Sequence, residues 1–98
     1  MKVIDRAEIW CECEKTEDGK IDVFDDNCKT PLQLRLRGLA EDEGILNWKK
    51  AKVGEAYIVT VSGELVKERE SPISLAHATM DIIDYGYRKK GDVENENS

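Results

Sequence analysis

Residues 6–15 read Arg-Ala-Glu-Ile-Trp-Cys-Glu-Cys-Glu-Lys, and their unbroken alternation between two chemistries limits the fold more than any other feature of the chain. Successive side chains of a strand point to opposite sides, so Ala7, Ile9, Cys11 and Cys13 are expected to line a core while Glu8, Trp10, Glu12 and Glu14 face water. The indole is the anomaly of the second face. A large aromatic among carboxylates is a candidate docking anchor.

The chain has 98 residues, which suits one domain with one modest core. We expect that domain over residues 1–90, followed by a disordered acidic tail over 91–98. Charged residues make up 37% of the chain and hydrophobic ones 40%, so most segments must be half buried. There is no apolar run of about eighteen residues that would span a membrane. The opening Met-Lys-Val-Ile-Asp has no apolar core of the kind a secretory signal needs. Three cysteines, an odd number, fit a reducing cytoplasm.

The net charge of -6 is concentrated at the start of the chain. Residues 5–26 carry nine acids against three bases, whereas residues 27–90 carry eleven bases and nine acids. Such an acidic hairpin repels nucleic acid and favours basic partners.

Along the chain, Asp18-Gly19 marks a hairpin turn that needs positive φ, and a second strand is expected over 21–24. Pro31 then precedes Leu32, Leu34 and Leu36, which alternate with Gln33, Arg35 and Arg37 and predict a third strand ended by Gly38. Residues 40–43 resemble the opening of a helical turn that Gly44 breaks. The β-branched segment 56–67 predicts the longest strand, with Gly63 at a bulge or a close backbone approach. Ser71-Pro72 and the stripe Ile73, Ala76, Met80, Ile83, Tyr87 predict the one amphipathic helix, stopping at Gly86. The expected fold is therefore α+β. It is a small curved antiparallel sheet or partly open β-barrel of four to five strands, with one C-terminal amphipathic helix across its apolar face.

Few residue sets carry chemistry. Cys11, Cys13 and Cys28 with His77 have the ligand types of a zinc site, but cysteines two apart on a strand lie roughly 6.6 Å apart along it. Zinc knuckles use tighter turns, so core cysteines and no metal are expected. On the expected helix, His77, Asp81, Asp84 and Arg88 form a solvated face of i,i+4 pairs and no catalytic pocket. No phosphate loop or nucleophile elbow is present, so neither enzyme activity nor a cofactor is expected.

Two binding sets remain. The acidic set is Glu8, Trp10, Glu12, Glu14, Asp22, Asp25 and Asp26, read as a face that occupies a basic surface on a larger, nucleic-acid-handling protein. An inhibitor or regulator of viral or mobile-element origin would suit so short and acidic a chain. The alternative is single-stranded nucleic acid held by Arg35, Arg37, Trp48, Lys49, Lys50 and Lys52, with Tyr57 as a further stacking ring. A third reading is a structural subunit whose edge strand pairs with copies of itself.

Overall fold

The computed structural model describes residues 2–68 and 77–91. Four strands, β1 (Lys2–Lys15), β2 (Ile21–Asp26), β3 (Ala56–Lys67) and β4 (Thr79–Lys89), form one antiparallel sheet in the order β2-β1-β3-β4. The helix α1 (Pro31–Asp42) stands between β2 and β3 in sequence. The architecture is the expected α+β with an unclosed antiparallel sheet, but α1 lies between strands and not at the C-terminal position expected of the helix.

The displaced helix has a local cause. Thr30 caps α1 by accepting from the Gln33 amide, and the Gln33 side chain accepts from the Thr30 amide in return, with Pro31 in the first turn. Once this capping box starts a helix, Leu32, Leu36, Leu39 and Ala40 share one face toward the sheet. Leu34, the middle member of the apparent strand alternation, is left 54% exposed. Gly38 does not stop the helix. It is stopped by Gly44, whose φ of 74° suits an achiral residue. Replacing Thr30 with Ala should lower the unfolding free energy by about 1 kcal/mol, and Thr30→Ser should retain most of it. Urea denaturation of the two variants checks this, and equal losses would show that the hydroxyl cap contributes nothing.

The segment expected as the C-terminal helix is β4 from residue 79 onward. Ile82, Ile83, Tyr85 and Tyr87 are β-branched or aromatic, and β3 takes this strand along its second edge in a ladder from Val66↔Thr79 to Tyr57↔Lys89. The helical pair Asp84–Arg88 vanishes with the helix, because residues four apart on a strand are separated by about 13 Å, and His77 of the expected His77–Asp81 pair precedes β4. The cap at Ser71-Pro72, with Ile73 and Ala76, lies outside the described residues, as does the tail from residue 92.

The helix and the loop after it cover one face of the sheet. Ile9, Cys11 and Cys13 of β1 and Tyr57, Val59 and Val61 of β3 are buried there against Leu36, Ala40, Ile45 and Leu46. Tyr57 and Tyr87 each donate a 2.6 Å hydrogen bond from the hydroxyl to a loop carbonyl, at Leu46 and Ile45 respectively. Trp48 is drawn in beside them, stacked on Tyr87 and edge-on to Tyr57, each at 5.7 Å between ring centroids.

Three register shifts interrupt the ladders, leaving Ile4, Phe24 and Ile83 as the extra residues. The expected close approach at Gly63 is present. A Cβ built there would lie 2.5 Å from Leu36 Cδ1 and 2.8 Å from Met80 Cε, so α1 rests where a side chain is missing.

Candidate functional site

The second face of the sheet has no element of the described structure across it. Residues directly opposite in antiparallel strands share a face, so the registers define rows that cross it. They run Arg6–Glu64–Asp81, then Glu8–Ser62–Asp84, then Trp10–Thr60–Gly86, then Asp25–Glu12–Ile58–Arg88, then Asp22–Glu14–Ala56. Trp10 occupies the central row, 37% exposed, beside a threonine and a glycine. The rows on either side of it hold Glu8 and Asp84 with Ser62, and Asp25 and Glu12 with Ile58 and Arg88, spaced about 5 Å across strands and about 7 Å along them.

The cations on this face are Arg6, Arg88 and Lys90, of which Arg88 is exposed and forms no ion pair among the described residues. Arg6 bonds Glu64 at 3.0 Å, and Lys90 reaches across to Glu12 while its ammonium lies 6.0 Å from the Phe24 ring centre. Glu8, Glu14, Asp22, Asp25, Asp81 and Asp84 form no ion pair among the described residues. At the hairpin tip, the Thr16 hydroxyl and the Lys20 amide hold the exposed Asp18 carboxyl below the usual carboxylate range.

Of the acidic set read from the sequence, Glu8, Trp10, Glu14, Asp22 and Asp25 stand together on the open face, and Glu12 joins them tied to Lys90. Asp26 does not. The bulge at Phe24 shifts the alternation by one residue, so Asp26 turns beneath the sheet, pairs with Arg37 of α1 and accepts from the Cys28 amide. Glu64, Asp81 and Asp84 belong to the face although sequence reasoning omitted them. The β-branched and aromatic residues of 79–87 were the available signal.

The basic set is dispersed. Arg35 and Arg37 lie on a helix and not on a strand, one donating to the Ala78 carbonyl at 3.1 Å and the other paired with Asp26. Trp48 is packed among tyrosines and Tyr57 is fully buried, leaving Lys49, Lys50 and Lys52 on an exposed loop.

Cys11 and Cys13 lie in the core. Burial, with the Cys28 and Cys13 thiols nearby, pushes the Cys11 thiol up to about 12, and burial pushes Cys13 up to about 11. Among the described residues no three His, Cys, Asp or Glu side chains are placed to hold a metal ion. None of the described helices is long and apolar enough to cross a membrane.

Comparison with protein-family models, with curated proteins and with solved structures finds no match for this chain.

Proposed function

We propose that this is a non-catalytic binding protein that docks the open face of its sheet, centred on Trp10, on a basic surface of a larger protein that handles nucleic acid, as its inhibitor or regulator. The observation that carries this reading is the composition of the cross-strand rows. An amphipathic ring sits in the middle row, and unpaired carboxylates from β1, β2 and β4 surround it. Such a layout suits an interface in which one desolvated aromatic provides contact area and the acids around it select and steer a cationic partner. Dispersal of the basic residues favours this over the nucleic-acid reading, since a single-strand groove needs cations and stacking rings together.

Self-pairing through the edge beside Trp10 is disfavoured on separate grounds. The Trp10 amide donates to Asn27 Oδ1 at 2.8 Å, and the Glu8 carbonyl accepts from the side-chain amides of Asn27 and Gln33. Backbone groups already bonded offer little to another strand.

The test is capture from an extract of the source cells with the full chain and with a Trp10→Ala, Glu8→Lys variant. The wild-type chain should retain a protein with a basic cleft, and the variant should bind it at least about thirtyfold more weakly, as for loss of a hot-spot residue. Salt should weaken the wild-type complex. Equal retention by both chains would refute the assignment, as would a loss of stability well beyond about 1 kcal/mol, which would mark Trp10 as a packing residue.

A further inference from the structure

The other edge of the sheet differs from the sealed one. Among the described residues β4 pairs only with β3, and its exposed residues include Ile83 at 53% and Tyr85 at 52%. The Tyr85 amide donates to the Asp84 carboxylate at 2.9 Å, so this N–H points out of the sheet and not into the β3 ladder. Strand geometry repeats every two residues, which turns the Tyr87 backbone the same way.

We propose that this edge is a homodimer interface in which two copies of β4 run antiparallel across a two-fold axis at Gly86. The choice of a second copy rests on self-complementarity. A two-fold axis at residue n places n−2 of one chain opposite n+2 of the other. Here those residues are Asp84 and Arg88, opposite charges on the same face with a glycine between them. Arg88 is exposed and forms no ion pair among the described residues.

The backbone agrees with this register. Tyr85 and Tyr87 point outward, so Tyr85 of one copy and Tyr87 of the other exchange two hydrogen bonds, twice across the axis. Gly86 and its copy, Asp84 and the opposing Arg88 then fall at non-hydrogen-bonded positions, where side chains approach most closely. Asp84 exchanges its contact with the Tyr85 amide for the guanidinium of the second copy. On the covered face, Tyr85 and the opposing Tyr87 extend the aromatic cluster that already holds Trp48. The Trp10 row becomes continuous, with two indoles about 24 Å apart on one eight-stranded sheet.

Sedimentation equilibrium of the full chain, from micromolar to near-millimolar concentration, tests this. A reversible monomer–dimer equilibrium is expected. Asp84→Arg alone and Arg88→Asp alone each place like charges opposite twice, and each should weaken the dimer roughly tenfold or more. Mixed in equal amounts, the two variants form opposite-charge pairs at both positions, so a heterodimer tighter than either homodimer should appear. Circular dichroism of each variant establishes that it is folded before mixing. A monomer at every concentration, a dimer indifferent to the reversals, or a mixture no tighter than its components would each overturn the proposal.

Discussion

Leu36→Ala should lower the unfolding free energy by about 3 kcal/mol, a large part of the roughly 5–15 kcal/mol that holds a domain of this size. Leu36 is fully buried and sits in the notch left by Gly63, with its Cδ1 where a Cβ on the strand would stand 2.5 Å away. The same contact makes Gly63→Ala destabilising by about 1–2 kcal/mol despite the better strand propensity of alanine, because Met80 Cε at 2.8 Å and the Asp81 carbonyl at 3.2 Å close the other sides. The two substitutions should not add. With Leu36 truncated, the new methyl enters vacated space, and the double variant should be more stable than the sum of the single losses by about 1 kcal/mol or more. Urea denaturation of the four proteins measures the coupling. Strict additivity would show that helix and strand do not meet at this notch.

Alkaline pH should unfold the protein through its buried thiols. Burial holds Cys11 and Cys13 neutral, with pKa values raised from 9.0 to about 12 and about 11. Above pH 9 the unfolded chain releases these protons while the folded chain keeps them, so stability falls with rising pH. The contribution is intact below the ordinary thiol pKa and disappears as pH climbs through 9 to 11 for Cys13 and on to about 12 for Cys11. Each thiol steepens the fall by up to about 1.4 kcal/mol per pH unit. Tyr57, raised by burial from 10.0 to about 12, adds to it above pH 10. Urea midpoints measured from pH 8 upward should drop steeply, and Cys13→Ala should flatten the drop between pH 9 and 11 by about one proton's worth. An unchanged slope in that variant would mean that Cys13 ionises freely in the folded chain.

How much of this was legible depended on whether local pattern and long-range pairing agreed. In β1 they agree, since its alternation is the alternation of burial, and Asp18-Gly19 turns the hairpin with Gly19 at φ 78°. β3 spans residues 56–67 as its β-branched content implies. The leucine-rich segment deceived because period two and period 3.6 both accommodate Leu32 and Leu36, and only Leu34 separates them. The capping box at Thr30 and Gln33 was the decisive local signal. For β4, a stripe at helical spacing gave way to the demand of β3 for a second neighbour.

The acidic face was half legible for a similar reason. Glu8, Trp10, Glu12 and Glu14 follow from strand periodicity alone. Asp26 leaves the face and Asp84 joins it through one-residue bulges at Phe24 and Ile83, which no count of alternating residues anticipates.

The polar side chains along the first edge settle a question of growth. Asn27 and Gln33 reach in from outside the strand to occupy an amide and a carbonyl of β1, and the adjoining β2 is short and bulged. A sheet joined to its copy at β4 therefore presents the same blunted margin at both outer ends. In the dimer proposed above, growth past the closed pair would have only this short, irregular margin to build on, which disfavours a fibre.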